Sequence, residues 1–261
     1  VFERGVNMFF IDVQGTLLSD IDKSLITGAK ELISFLNEKN LAYVIVTNNT
    51  KKLDFLEHLR AKGLDIKDNA YIDPFVVLLS LLEPCKIAAF GSAEFKQSLE
   101  KLGFSLDYKE AKAVLVASFD GFLMNDFAAM IELAKSGVRV IALHETSIYK
   151  KNERLYPGVG AIMKMLEYAS NASYEVVGKP SFAFYKRALE LLKSQDKRAS
   201  FENTLIISDD FRGDLVQAKA QGMQTALVLS GKISSTKNLD ESKLDFVYPS
   251  VAEFLQNLKE K

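Results

Sequence analysis

One cysteine, Cys85, is all the thiol this 261-residue chain carries. An internal disulfide is therefore excluded, and a reducing compartment, the cytoplasm, is expected. Charge of one sign is lacking too. The 33 Lys and Arg stand against 34 Asp and Glu, a formal net charge of -1. With no basic run either, the electrostatic footprint of a nucleic-acid binder is missing. No apolar run approaches the roughly 18 residues of a membrane span. The opening "VFERGVNMFFID" carries an acid and feeds straight into a strand-like run, which is not the pattern of a signal peptide. No Pro/Gly-rich stretch marks a linker. What is there is 48% hydrophobic and 26% charged, a globular balance with enough chain for a large core in one or two domains.

Short apolar runs recur along the chain: "MFFID" (8–12), "AYVIV" (42–46), "KIAAF" (86–90), "AVLVA" (113–117), "VRVIAL" (138–143), "YEVV" (174–177), "TLIIS" (204–208) and "TALVL" (225–229). Runs this uniformly apolar suit strands buried on both faces of a parallel sheet. Between them lie stretches of helical period. "TGAKELISFLNEKN" has Thr27 as its expected cap, and "SFAFYKRALELLKS" follows Lys179-Pro180. Alternation of this kind predicts a doubly wound α/β protein. Working residues in such sheets sit beyond the carboxyl ends of the strands. Asp12, Thr47, Lys179 and Asp209 all fall there. The stretch between Thr47 and Lys179 holds β/α units of its own, so an inserted domain is expected. Its edges are placed at 73–175, leaving 1–72 and 176–261 as the core.

Four clusters carry chemistry. Asp12 opens a Gly-Thr turn whose backbone N–H groups can face an anion; it serves as a nucleophile toward phosphorus or merely caps the turn. A carboxylate attacks without prior deprotonation, and the acyl phosphate it forms is labile to water. Thr47, Asn48 and Asn49 offer hydroxyl and amide donors after a strand, though Thr-Asn-Asn is also ordinary turn chemistry. Lys179 sits between Gly178 and Pro180, which is expected to start a helix, and can act as a point charge for phosphate. Asp209, Asp210 and Asp214 follow "LIIS". Three carboxylates so close repel unless a cation compensates, and a hard divalent ion shared with Asp12 would do so.

Taken in order, "DVQGTL", "TNNT", "GKP" and "SDDFRGD" resemble the four motifs of the haloacid dehalogenase-like (HAD) hydrolase superfamily. The segment "VLVASFDGFLMNDFAAMIELAKSGVRVIALHET", with "PGVG" at 157–160, is similar to the α/β cap of the NagD-like, nitrophenyl phosphatase-type subfamily. The resemblance covers essentially the whole chain. It implies a Rossmann-like core with an α/β cap that closes over the site, and Mg²⁺ as cofactor. Asp12 then matches the nucleophile, Thr47 with Asn48 the phosphate-binding donors, and Lys179 the lysine that steadies both. Asp209 matches a metal ligand, Asp214 the second acid supporting the metal, and the backbone carbonyl of Gln14 the third ligand.

Gln14 is a departure. Phosphatases of this family carry Asp there, to protonate the leaving oxygen and later activate water. Glutamine can hydrogen-bond that oxygen but cannot transfer a proton, and such help is worth roughly 10²–10⁴ in rate. A second departure is "LHET" at 143–146, where His144 and Glu145 are candidates for reading the substrate.

The expectation is a phosphatase acting on small phosphate monoesters through an aspartyl phosphate at Asp12. It is slowed by Gln14. The alternative is an impaired protein that holds a phosphorylated ligand without turnover, and a HAD hydrolase of another bond type is a further rival. The expected partner is a small phosphorylated metabolite, with no nucleic acid and no membrane; a homodimer is compatible with the sequence. Other features are set aside. His58 reads as helical surface, "GVGAIM" lacks the third glycine of a dinucleotide fingerprint, and "DVQGTLLSDID" is followed by Lys23 at the twelfth position, where a calcium loop needs Glu.

Overall fold

The computed structural model describes residues 7–151 and 154–260. They form two compact bodies. The first comprises the chain up to Thr47, then Asp54–Ile72, then the chain from Tyr185 onward; the second comprises Asn48–Leu53 and Asp73–Phe184.

In chain order the first body begins with β1 (Met8–Asp12), α1 (Ala29–Glu38), β2 (Ala42–Val46), α2 (Phe55–Ala61) and β3 (Tyr71–Ile72). The second body then contributes α3 (Pro74–Leu81), β4 (Lys86–Phe90), α4 (Ala93–Lys101), β5 (Ser105–Leu106) and β6 (Ala113–Val116). It continues with α5 (Met124–Lys135), β7 (Arg139–Ala142), β8 (Ile148–Lys151), β9 (Arg154–Pro157), α6 (Val159–Ser170) and β10 (Glu175–Val176). Helix α7 (Phe182–Gln195) leads back to β11 (Thr204–Ser208), α8 (Val216–Ala220), β12 (Gln224–Val228), β13 (Phe246–Tyr248) and α9 (Val251–Lys259).

The first body is a six-stranded parallel sheet in the order β13-β12-β11-β1-β2-β3. Every residue of β1, β2 and β11 is buried. That burial needs both faces of the sheet covered, which is why these runs show no polar alternation. Phe9, Ile11, Tyr43, Ile45, Leu205 and Ile207 join Leu32, Leu36, Phe254 and Leu255 in one core. Phe9 meets Phe254 of α9 edge-on, with ring centroids 5.9 Å apart. Phe10 turns the other way and stacks on Tyr185 of α7 at 6.1 Å. Because β1 lies between β2 and β11, Asp12 emerges beside the ends of both.

The second body is built on a five-stranded parallel sheet, β10-β7-β6-β4-β5, with β8 and β9 as a separate antiparallel pair. Its core joins Ala88, Val114, Val116 and Val140 to Met130 of α5 and to Ile162 and Leu166 of α6. The chain is thus a doubly wound α/β protein with an inserted α/β domain. Among the described residues no helix is long and apolar enough to cross a membrane.

Four local expectations change. Thr27 does not cap α1: the cap position is Gly28, at φ 87° and with no side-chain bond. A Cβ on Gly28 would stand 2.6 Å from the backbone of Ala252, so the close approach of α9 decides this residue. The "YEVV" run belongs to the second sheet, where Glu175 and Val176 pair with Ile141 and Ala142 of β7. The second body begins at Asp73, the expected edge, but runs to Phe184 rather than 175 and takes residues 48–53 with it. Pro180 follows a cis bond and stands outside α7; Ser181 Oγ, not the proline, serves the helix start by accepting from Phe184 N at 3.2 Å.

Candidate active site

In the first body the site grows from the ends of β1, β2 and β11. Asp12 closes β1 at 6% exposure, and Thr16 Oγ1 donates to its Oδ2 at 3.4 Å. The Gly-Thr turn spends its N–H groups internally: Gly15 donates to Leu18 O, while Thr16, Leu17 and Leu18 donate to Val13 O. These donors are therefore not the anion-facing set expected from the sequence. Thr47, also buried, follows β2 and donates its backbone N–H to Ile72 O at 3.2 Å.

Asp209 follows β11 and is 1% exposed. Its Oδ2 accepts from Lys232 N at 2.7 Å. Glycines flank the same oxygen on both sides: a Cβ on Gly15 would lie 2.1 Å from it, and one on Gly231 2.0 Å. Ser230 Oγ ties the two loops by donating to Gly15 O at 2.7 Å. Burial, and then the carboxylate of Asp12, push the Asp209 carboxyl well above its usual range. Two buried carboxylates that repel in this way would be eased by a cation shared between them.

Asp210 turns aside. Its Oδ1 accepts from Gly213 N at 2.9 Å, closing one widened helical turn over Phe211–Leu215, and its Oδ2 pairs with Lys232 Nζ at 2.5 Å. Asp214 Oδ2 accepts from Ser208 Oγ at 2.7 Å, so this acid supports the end of β11. Burial works against the Lys232 ammonium, but Asp210, Asp209 and Asp214 outweigh it and hold its pKa above the ordinary value. Tyr185, wholly buried, has its phenol pushed up by burial and then by the charges of Asp214 and Asp12.

Do these residues suit a divalent ion? Among the described residues no three His, Cys, Asp or Glu side chains converge as a metal cluster. Mg²⁺ does not need three: it favours one or two carboxylates, with waters and substrate phosphate completing the shell. Asp12 and Asp209 supply two hard carboxylates, and the Gln14 carbonyl stands on the intervening turn. The two glycines leave the room that the Asp209 carboxylate occupies. This donor set fits Mg²⁺.

The second body holds the remaining candidates. Asn48 clasps the backbone of Lys179 at both ends, its Oδ1 accepting from Lys179 N at 2.8 Å and its Nδ2 donating to Lys179 O at 3.3 Å. Gly178 is obligatory beside them, since a Cβ would stand 2.2 Å from Leu143 O and 2.7 Å from Asn48 Oδ1. Lys179 itself is 3% exposed. Asn49 has a turn role, donating from Nδ2 to Lys52 O at 2.6 Å. His144 is buried, with Nε2 3.0 Å from Ser118 Oγ and Nδ1 accepting from Thr146 N at 3.4 Å. Glu145 accepts from Tyr174 OH at 2.5 Å and donates its backbone N–H to Lys179 O at 3.2 Å. The "PGVG" turn braces the same loop, Gly158 N donating to Ser147 O at 2.8 Å and Gly160 N to Thr146 O at 3.0 Å.

Lys232, Gly231 and Lys23 are site residues that the sequence analysis missed. A signal existed for the first two: "LVLSGK" repeats the apolar run, Gly and Lys of "EVVGK". For Lys23 there was none, because its contact with Gln14 depends on a turn.

Comparison with known proteins completes the picture. A family profile described as haloacid dehalogenase-like hydrolase matches residues 9–105, and a HAD-hydrolase-like profile matches residues 176–254. The haloacid dehalogenase-like hydrolase domain-containing protein 2 of Rattus norvegicus is 29% identical over 246 residues, 93% of this chain and 90% of its own. The phospholysine phosphohistidine inorganic pyrophosphate phosphatase of Homo sapiens is 29% identical over 265 residues, 95% and 93% of the two chains. The solved structure of NagD from Escherichia coli K-12 superposes with a TM-score of 0.76 at 26% identity, covering 95% of this chain and 98% of that one; the sequence of NagD is that of a ribonucleotide monophosphatase.

Proposed function

Since this chain belongs to the haloacid dehalogenase-like hydrolases, in their NagD-like branch, we propose that it is a Mg²⁺-dependent phosphatase. Small phosphate monoesters are its substrates, and an aspartyl phosphate on Asp12 is its intermediate. The observation that carries this reading is the pair of buried carboxylates, Asp12 and Asp209, at the ends of adjacent strands, one of them wedged between two glycines.

Asp12 attacks phosphorus with one carboxylate oxygen while Thr16 holds the other. Thr47 and Asn48 take the phosphate oxygens, and Lys179 supplies positive charge to nucleophile and phosphate. Asp12, Asp209 and the Gln14 carbonyl would hold Mg²⁺, with Asp214 in support; when bound, the ion would screen the repulsion between carboxylate and phosphate. His144 and Glu145 are assigned to the loop that reads the substrate. Gln14 offers a hydrogen bond to the departing oxygen but no proton. Turnover is therefore slow for alkyl esters, and the favoured substrates are those whose leaving group departs without an acid's help. Pyrophosphate, one of the substrates in the human relative's name, fits this class, since its leaving group departs as a phosphate anion.

A second reading has Gln14 in its favour, namely a protein that binds a phosphorylated ligand without turnover. A panel of phosphate esters, assayed with and without Mg²⁺ on wild type and Asp12→Asn, separates the two. Mg²⁺-dependent turnover abolished in Asp12→Asn supports the phosphatase; binding without turnover in both supports the second reading.

A further inference from the structure

Gln14 stands two residues beyond Asp12, and the oxygen of its side chain is taken: Lys23 Nζ donates to Gln14 Oε1 at 2.8 Å. The flap of chain after β1 brings the lysine there. Leu18 bridges antiparallel to Leu25, Ser19 N donates to Ser24 O at 2.9 Å, and Lys23 N donates to Ser19 O at 3.1 Å. Asp22 Oδ1 locks the tip by accepting from Ser24 N at 3.1 Å and from Ser24 Oγ at 2.8 Å. Closing this turn puts Lys23 at φ 59°, in the left-handed region that Gly or Asn enters more readily. Lys23 has one acidic neighbour in the same turn, Asp20, with Oδ1 at 3.6 Å. At the tip Ile21 is 96% exposed, so no core contact dictates the path of the flap there.

The chemistry of the two side chains gives the contact a direction. An ammonium has three donors and no acceptor, so it binds only the oxygen end of an amide. With Oε1 held by Lys23, the end of Gln14 left to meet another group is Nε2, a pure donor. A Gln without such a partner could present either end, and its oxygen would repel the developing negative charge on a leaving group. Resting on the phosphatase reading, we propose that Lys23 is a positioning residue, fixing the Gln14 amide so that its N–H, and not its oxygen, faces the leaving-group oxygen of the substrate. The pair then replaces a general acid with an oriented hydrogen-bond donor.

The test compares wild type with Lys23→Met, Lys23→Arg, Gln14→Ala and the Gln14→Ala/Lys23→Met double variant on aryl phosphates of graded phenol acidity. Lys23→Met is expected to lower kcat about tenfold, the scale of one misdirected hydrogen bond, with KM within about twofold. The loss should be largest for the least acidic phenols, and Lys23→Arg should restore most of it. In the Gln14→Ala background Lys23→Met should cost nothing further. An unchanged kcat in Lys23→Met overturns the proposal. An equal loss with and without Gln14 overturns it too, since the lysine would then act on the substrate directly. A readout independent of turnover is the side-chain amide signal of Gln14 in a ¹H–¹⁵N correlation spectrum, assigned by its loss in Gln14→Ala. It should move in Lys23→Met and return toward wild type in Lys23→Arg. Should wild type and Asp12→Asn be equally inert on every ester, the phosphatase reading fails, and this signal alone decides whether Lys23 orients Gln14: no movement refutes it.

Discussion

Asp209 Oδ2 lies where the side chain of residue 15 would begin: a Cβ on Gly15 would be 2.1 Å away, and one on Gly231 would press from the other side at 2.0 Å. Gly231→Ala is therefore a clean steric probe, since its backbone is not left-handed, whereas Gly15 also has φ 70°. Either alanine should turn Asp209 out of place and weaken Mg²⁺ binding by roughly 10–100-fold, as expected when a support of a metal ligand is lost. Gly15→Ala should lose about a further 1–2 kcal/mol of stability to the left-handed backbone. Titration calorimetry with Mg²⁺ and thermal melts check both numbers; unchanged affinity in Gly231→Ala would remove the wedge from the account of the site.

The Asp209 carboxyl, pushed up to about 8 by burial and by Asp12, makes stability of the metal-free protein depend on pH. An unfolded chain releases this proton near pH 4, its ordinary value, while the folded protein keeps it to about 8. Across that window the native state binds more protons than the unfolded state, so stability falls as pH rises. Melts in EDTA should show higher Tm at pH 5 than at pH 8, and added Mg²⁺ should raise Tm more at pH 8. The opposite trend, after correcting for other groups, would mean that Asp209 is ionised without metal.

Restoring an acid at residue 14 tests what the glutamine costs. An aspartate there would inherit the Lys23 ammonium, which favours its ionised form. Gln14→Asp alone should raise turnover of alkyl phosphates less than Gln14→Asp/Lys23→Met. The double variant has up to roughly 10²–10⁴ to gain. Aryl phosphates should respond little to either. Robust alkyl phosphatase activity in wild type would mean that another group already donates the proton.

Asn48 is the obvious weak point of the Lys179 loop, because both of its hydrogen bonds go to the Lys179 backbone. Asn48→Ala should cost about 1–3 kcal/mol for each buried group left unpaired. It should also lower kcat on aryl phosphates, as Lys179 loses its fixed position. A variant that melts earlier yet turns over normally would restrict Asn48 to folding.

His144 and Glu145 separate by what each holds. His144 is buried against Ser118, so His144→Ala should lower Tm as well as change KM. Glu145→Gln keeps an acceptor for Tyr174 and should leave Tm nearly unaltered. If neither variant changes KM across a substrate panel, the loop has no part in reading the substrate.

The long central strands were legible because they are buried at every position but the exposed Lys86 that opens β4: "MFFID", "AYVIV", "KIAAF" and "TLIIS" match β1, β2, β4 and β11 residue for residue. The edge strands β3, β5 and β13 left no such trace. β3 and β5 are two residues long, and β13 is three residues of partial or little burial, so their pairing comes from neighbours rather than from pattern. β8 and β9 join Tyr149 to Tyr156 across an antiparallel register that no periodicity announced. Asp12, Thr47 and Asp209 could be found from their places after strands. The contacts of Lys232 and Lys23 could not, since the first reaches Asp209 across 23 residues of sequence and the second depends on a left-handed turn.

The order of strands in the first sheet also sets a timetable for synthesis. β1 is made early, yet one of its edges is completed only by β11, which emerges after the whole of the second body. At 5–20 residues per second that interval lasts roughly 10–40 s, during which a strand of Met, Phe and Ile would show an unpaired edge on the ribosome. The second body, drawn almost wholly from one continuous stretch, faces no comparable wait. A nascent chain of this protein therefore carries its stickiest edge longest at the strand that bears Asp12, and chaperone engagement should concentrate between the appearance of β3 and that of β11.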